Sequence, residues 1–364
     1  MHKFNTDIAQ AFNIEFPHAS TEVYPSNQPL DRVRGLAGEQ PCLCIFDENT
    51  EKTCPVSGEV NAETAGETIR EERLVFPPGE KYKTWSSVSS AAEKLLDMGA
   101  GRDTVLAAVG GGVVCDLAAF AASVYMRGMR LVLVPTTLLA MVDASIGGKT
   151  GIDFGGSKNI LGTFYPAEEV IISTEFLSTL PEKEYMNGLA ELIKHALLAD
   201  SELYRLLREK QREVLERDPE VLRELIFRSL RIKAAYVEQD PTEKGIRGHL
   251  NLGHTFAHAL ESAGGFSGYT HGEAVAWGLA KAAAAGVEMG ITEPAYAEEV
   301  TALLSSYGYV LEGVSDDPRS LIDGMKNDKK KRGGKVRFIL QKRREETLYS
   351  QVPEDILLKV LRRG

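Results

Sequence analysis

The first half of the chain alternates short apolar runs with stretches of helical periodicity. Residues 41–46 (PCLCIF) are an apolar run that ends in Asp47, Glu48 and Asn49. That is the pattern of a buried strand with a polar cluster at its carboxyl end, where ligand groups sit in open α/β sheets. Residues 87–99 put Ala91, Leu95, Leu96 and Met98 on one helical stripe. Residues 104–109 read as a strand, 110–112 as a glycine turn and 113–125 as an apolar helix. The run 131–134 (LVLV), closed by Pro135, and the run 170–173 add two strands. Strand, helix, strand in this order predicts a parallel sheet with crossover helices.

From about residue 182 the period changes. Residues 183–199, 202–216, 219–237, 254–263, 272–289 and 295–307 all read as helix, with Ser201, Asp218, Asp240 and Thr292 as start or stop positions. A strand signal returns only at 336–340. The change falls near 177–181, so the expected organisation is an α/β domain over 1–178 and a mainly α-helical domain over 179–364. No internal repeat or low-complexity tract interrupts it. The basic run 329–332 reads as a solvated loop.

Composition narrows the function without naming it. The chain has 364 residues, 43% hydrophobic and 26% charged, enough for two domains with real cores. With 42 basic against 52 acidic residues the net charge is −10, which argues against a nucleic-acid partner but not against a local anion pocket. Cys42, Cys44, Cys54 and Cys115 have no zinc-ribbon or CxxC spacing and read as buried free thiols of a reduced, cytoplasmic protein. No apolar stretch reaches the ~18 residues a membrane span needs, and the first residues, MHKFNTDIAQAF, lack the apolar run of a signal peptide.

Four segments carry candidate chemistry. VGGGVVCD, from Val109 to Asp116, places three glycines between a strand and a helix, where backbone amides and the helix dipole can hold a pyrophosphate. It is not the GxGxxG fingerprint, and such a turn is often purely structural. DASIGGKTGID, from Asp143 to Asp153, ends like a P-loop, but Asp143 stands where a P-loop needs glycine, so what remains is a glycine-flanked lysine beside an acid. GGSKN, with Lys158 and Asn159, follows closely; two such loops together favour an anion site. In the third segment Glu191 and Lys194 share a helix face three residues apart, which taken alone reads as a surface ion pair. The fourth is LNLGHTFAHALE followed by THGEAVAWG. His254 and His258 are one turn apart, and His271 heads the next helix. This cluster points to a divalent metal; Glu261 and Glu273 are as eligible by spacing as a more distant carboxylate, and the HExxH signature is absent.

Taken together these segments, with PPGEKYK, YMRG, VPTTLLAM, SKNILGTFY, GLAELIKHA, EKGIRGHLNLGHTFAHALE and MKNDKKKRGGKVRFIL, resemble the 3-dehydroquinate synthase family of sugar phosphate cyclases, from about Phe76 to Leu340. The resemblance implies an α/β nucleotide-binding domain followed by a mainly helical metal-binding domain. It implies metal ligands Glu191, His254 and His271, holding zinc or cobalt. It implies an NAD site built from Asp47, Asn49, Glu80, Lys83, Gly111, Gly112, Asp116, Thr136, Thr137 and Lys158. Substrate contacts would be Asp143, Lys149, Asn159, Lys194, Lys233, Arg247, Asn251 and His258, with Lys329 or Lys330, and with Arg127 reaching the phosphate from the neighbouring subunit of a homodimer. The base implied for phosphate departure is the phosphate itself, with Lys149 or His258 as the side-chain alternatives for proton handling. The implied reaction converts 3-deoxy-D-arabino-heptulosonate 7-phosphate to 3-dehydroquinate and phosphate by transient oxidation, phosphate elimination, re-reduction and aldol closure. Cys115, Ala119 and Asp153 depart from the family's usual glycine, glycine and asparagine, and Cys115 puts a Cβ near the implied pyrophosphate.

A non-catalytic binding protein on the same scaffold would not need the full set of metal and cationic residues, and three further alternatives share most of this pattern. A sister cyclase would act on sedoheptulose 7-phosphate or glucose 6-phosphate, which lack the substrate carboxylate that Lys233, Arg247, Asn251 and His258 would meet. An amino-dehydroquinate synthase would look nearly identical. A polyol dehydrogenase would accumulate NADH and would not need Lys149, Lys194 and Lys233.

Overall fold

The structure, a computed structural model, describes residues 8–54, 71–263, 268–312, 317–331 and 336–362, the side chains of 327–331 excepted. Met1–Pro181 makes one compact unit and Glu182–Gly364 a second.

The first unit runs β1 (Phe12–Phe16), β2 (Ala19–Pro25), α1 (Pro29–Ala37), β3 (Cys42–Asp47), α2 (Glu48–Thr53), β4 (Glu71–Phe76), α3 (Trp85–Asp97), β5 (Val105–Gly110), α4 (Gly112–Val124), β6 (Arg130–Pro135), β7 (Ile152–Phe154), β8 (Ser157–Leu161) and β9 (Glu169–Ile172). Seven strands form one sheet in the order β1-β2-β9-β6-β5-β3-β4. All neighbours are parallel except the β1–β2 hairpin at the edge. Residues 42–46 of β3, all of β5 and 131–135 of β6 are buried, which is why they appear in the sequence as unbroken apolar runs rather than alternating ones. From β3 the chain passes to β4 on one side and returns through α3 to β5 on the other. The carboxyl ends of β3 and β5, in register at Phe46 and Val109, therefore flank the point where strand order reverses, the usual ligand position in such sheets.

The second unit runs α5 (Glu182–Ala199), α6 (Ser201–Glu209), α7 (Gln211–Leu215), α8 (Pro219–Gln239), a 3-10 turn (Ile246–Asn251), α9 (His254–Ala263), α10 (His271–Glu288), α11 (Pro294–Ser306), α12 (Pro318–Lys331), the hairpin β10 (Phe338–Gln341) and β11 (Thr347–Ser350), and α13 (Glu354–Arg362). Its helix starts are chemically explicit. Asp200 and Asp218 cap α6 and α8, and Thr270 and Glu273 form a reciprocal capping box at the head of α10.

The differences from expectation have local causes. The helix expected over 202–216 is broken at Lys210, whose backbone (φ −107, ψ 22) leaves the helical range. On α3 the buried stripe is Val88, Ala91 and Leu95; Leu96, expected on it, is 67% exposed because it lies a further 100° round the helix. Thr292 does not start α11; its hydroxyl donates to the Gln341 carbonyl. The backbone of 329–331, expected as loop, is the last turn of α12; Arg332 and the side chains of Lys329 and Lys330 lie outside the described residues. The hairpins β1–β2 and β7–β8, strand β11 and helices α1, α12 and α13 were not expected. Among the described residues no helix is long and apolar enough to cross a membrane.

Candidate active site

In the second unit three helices meet through glycine. A Cβ on Gly272 would stand 2.5 Å from the Asn187 Cα, and the Gly272 amide donates to Asn187 Oδ1 at 2.9 Å, locking the head of α10 onto α5. A Cβ on Gly278 would collide with the Gly253 carbonyl, and Gly253 itself has φ +79 immediately before α9 begins. Only glycine fits either approach. The result places Glu191 of α5, His254 at the start of α9 and His271 at the start of α10 with donor atoms all within 4.8 Å of one another.

The donors are oriented as a metal site requires. His254 Nε2 and His271 Nε2 lie 3.3 and 3.2 Å from the same Glu191 oxygen, Oε1. The far nitrogens are tied off: His254 Nδ1 donates to the Leu252 carbonyl at 3.2 Å, and His271 Nδ1 to Glu261 Oε1 at 3.2 Å. Such outer partners fix which nitrogen faces the ion. Two imidazoles and a carboxylate, leaving open positions, fit a catalytic zinc-type ion. Glu261 is thus assigned to orienting His271, and Glu273 to capping α10, although the sequence made both eligible as ligands.

Glu191 is fully buried, and burial works to raise its carboxyl pKa. Lys194, paired with Oε2, and His254 and His271 outweigh that and hold the group well below the usual carboxylate range. The Glu191–Lys194 pair, expected at the surface, lies in the interior. Burial lowers the pKa of His271, but its bonds to Glu191 and Glu261 outweigh that and push it up to about 10. His258 stacks edge-on against His254, ring centroids 5.5 Å apart. Arg247 (2% exposed) and Lys233 (5%) are cations held in the interior; Arg247 donates to the Pro241 carbonyl, and Asn251 Nδ2 to Glu243 Oε1.

In the first unit β5 ends at Gly110, and α4 starts behind Gly111, which offers no side-chain cap. A Cβ on Gly111 would press to 3.1 Å from Thr137 Cγ2 and one on Gly112 to 3.4 Å from Ala144 Cβ. The uncapped amides of a 13-residue helix behind two glycines fit a dinucleotide pyrophosphate. Cys115 does not intrude: it is 1% exposed, and its Sγ turns inward to the Gly110 carbonyl at 3.6 Å. Thr136 ties its amide to the Gly110 carbonyl, and Thr137 Oγ1 accepts from the Ala140 amide. At the end of β3, Asp47 Oδ1 caps α2 by accepting from the Asn49 and Thr50 amides.

Lys83 is 3% exposed. Its Nζ lies 2.6 Å from Asp116 Oδ2 and 2.5 Å from Asn159 Oδ1, with Glu80 at 3.9 Å. Lys83, Asp116 and Asn159, taken from three segments of the sequence, are therefore one cluster. Burial raises the Asp116 carboxyl pKa, and Lys83 opposes it. Asp143 sits in a π turn, Ala140–Ala144, a distortion frequent at functional sites. Lys149 and Lys158 are exposed, on the bridge to Phe164 and on β8 respectively. Arg127 is exposed in a strained turn, with φ of 48°, 66° and 123° at Met126, Arg127 and Gly128.

Comparison with known proteins agrees with both units. Residues 73–187 match the family described as 3-dehydroquinate synthase N-terminal, and residues 188–331 match 3-dehydroquinate synthase C-terminal. The chain is 43% identical over 302 residues to a 3-dehydroquinate synthase of Rhodopirellula baltica, covering 83% of this chain and 80% of that protein. Among solved structures, a 2-deoxy-scyllo-inosose synthase complexed with carbaglucose-6-phosphate, NAD+ and Co2+ superposes with a TM-score of 0.84 at 26% identity, covering 97% of this chain and 99% of that one. A 2-epi-5-epi-valiolone synthase from Streptomyces hygroscopicus, with NAD+ and Zn2+ bound, gives 0.84 and 26%, covering 95% and 96%.

Proposed function

The chain belongs to the 3-dehydroquinate synthase family, and on that premise we propose that it converts 3-deoxy-D-arabino-heptulosonate 7-phosphate to 3-dehydroquinate and phosphate, with NAD and a divalent ion, zinc or cobalt, as cofactors. It is a phosphate-eliminating cyclase of the shikimate pathway. The observation that carries this is the metal trio: His254 and His271 aim Nε2 at one Glu191 oxygen while Leu252 and Glu261 hold their other nitrogens. When bound, NAD supplies a transient hydride acceptor and the ion a Lewis acid.

The chain's own residues do the rest. Glu191, His254 and His271 hold the ion. Lys194, paired with Glu191, neutralises the buried carboxylate and presents a cation to substrate. Lys233 and Arg247, buried and charged, bind the substrate's anionic groups, with Asn251 and Lys329 or Lys330 beside them. Asp143, Lys149 and Asn159 position the sugar. Lys149 and His258 take and return protons. Asp47, Asn49, Glu80, Lys83, Gly111, Gly112, Asp116, Thr136, Thr137 and Lys158 hold the dinucleotide. The enzyme works as a cytoplasmic homodimer in which Arg127 reaches the phosphate held by the neighbouring subunit. Four free, buried cysteines support a reduced compartment. The exposed side chains of Phe154, Ile160 and Phe164, on and beside the β7–β8 hairpin, support a protein contact there.

The structural likeness to the inosose and valiolone synthases leaves sister chemistry as the second reading; the higher identity to 3-dehydroquinate synthases disfavours it. Phosphate release by the NAD- and zinc-supplied protein, measured separately on the deoxy-heptulosonate phosphate, sedoheptulose 7-phosphate and glucose 6-phosphate, decides between them. Release from the first alone, without NADH accumulation, is expected. Release from another sugar reassigns the enzyme to a sister cyclase, and NADH without phosphate makes it a dehydrogenase.

A further inference from the structure

The β7–β8 hairpin carries a closed ring of hydrogen bonds that joins a cofactor residue to a substrate residue. The Asp153 amide donates to the Lys83 carbonyl at 2.8 Å. Asp153 Oδ1 accepts from the Asn159 amide at 2.8 Å. Asn159 Oδ1 accepts from Lys83 Nζ at 2.5 Å, closing the ring, and Lys83 Nζ reaches on to Asp116 at the head of α4. Asn159 has φ +52, a left-handed backbone that asparagine adopts more readily than other non-glycine residues. Between the two partners the chain turns through Gly155 and Gly156, both at positive φ.

We propose that Asp153 is a positioning residue: by holding the Asn159 amide it aims the Asn159 side chain and binds the substrate-side hairpin to the Lys83–Asp116 arm of the dinucleotide site. This rests on the roles assigned above to Lys83 and Asn159. It follows that Asp153 acts only through Asn159, that an acceptor rather than a charge is needed at 153, and that Asp153→Asn is tolerated.

The test is a double-mutant cycle on the full-length enzyme with NAD and zinc. Asp153→Ala is expected to raise KM for the deoxy-heptulosonate phosphate on the order of tenfold, the worth of one lost hydrogen bond, with Asp153→Asn within about twofold of wild type. In an Asn159→Ala background Asp153→Ala should add nothing. An undiminished penalty in that background, or no penalty in wild type, overturns the proposal, since a general loss of hairpin stability would persist without Asn159. If Asp153→Ala fails to fold, Asp153→Ser, whose hydroxyl cannot span the same reach, replaces it in the same cycle. Hydrogen exchange of the segment 157–163 without substrate gives a readout independent of activity: Asp153→Ala should expose the Asn159 amide and Asp153→Asn should protect it. Wild type that releases no phosphate refutes the functional reading, and the ring is then judged by exchange alone; unchanged exchange in Asp153→Ala refutes the ring.

Discussion

Replacing Glu261 tests whether the metal site is built from its outer partners inward. Glu261 touches no ion in this reading; its Oε1 accepts from His271 Nδ1 at 3.2 Å, and His271 Nε2 then faces Glu191. Glu261→Ala removes both the acceptor and its charge. A hydrogen bond to a charged group is worth about 1.5–3 kcal/mol, and loss of an outer partner typically costs about 10- to 100-fold in metal affinity. The side chains of His271 and Glu261 keep 30% and 17% of their exposure, so solvent screening puts Glu261→Gln, which keeps an acceptor, near the tenfold end and Glu261→Ala toward the hundredfold end. One effect opposes this. Without Glu261 the His271 pKa falls, so the ion meets less proton competition, and the loss is therefore larger at about pH 9 than at about pH 7.

Competition against a chromophoric chelator measures zinc affinity, and the visible spectrum of the cobalt-loaded protein reports ligand geometry. Glu273→Ala is the control: it removes the reciprocal half of the capping box on α10 and should cost about 1 kcal/mol of stability with a smaller effect on affinity than either Glu261 variant. Folded Glu261→Ala protein that binds zinc within about twofold of wild type, at both pH values, would refute the orienting role.

Other outcomes follow from the same geometry. Metal affinity should rise with pH, about tenfold per unit for each proton displaced, up to about 10, where His271 loses its proton; calorimetry in buffers of different ionisation heat counts the protons released. The sign for the metal-free protein is opposite: a histidine pKa raised on folding contributes stability that is complete below its unfolded pKa and is lost as pH rises through about 10, so thermal stability without metal should fall across that range while the metal-loaded protein does not follow it. Gly272→Ala should lower stability by about 1–3 kcal/mol and weaken zinc binding, because the new Cβ drives α10, with His271 at its head, off Asn187; paired melts with and without zinc check this. Cys42, Cys44, Cys54 and Cys115 should resist a thiol reagent in the native state and all four react on denaturation, since burial raises the Cys54 and Cys115 pKa values and Cys44 is raised by its contact with Cys42 and by burial.

The parts of this protein that were legible in the sequence are those whose constraint is local. Strands β3, β5 and β6 are covered on both faces, so their apolar runs announced them; β1, β8 and β11 mix polar residues into short edge or hairpin segments and carry no such signature. His254, His258 and His271 cluster in sequence, and their chemistry showed. Spacing alone did not show which carboxylate joins them; the family resemblance pointed to Glu191, and helix packing is what separates it from Glu261 and Glu273. Likewise Asp153 and Asn159 gave no sign of the ring they close with Lys83, since a turn decides it. A signal for the packing was nonetheless present. Gly272 and Gly278 lie inside a stretch of otherwise helical residues, where each glycine costs about 1 kcal/mol against alanine. Of the three glycines in α10, Gly286 meets the Thr292 side chain, whereas Gly272 and Gly278 each sit against another backbone. Those two backbones are Asn187 of α5, one helical turn before Glu191, and Gly253, the neighbour of His254. Gly272 and Gly278 thus identify the two segments that carry the other two members of the candidate metal trio, and that trio is the consequence of where the helices can touch.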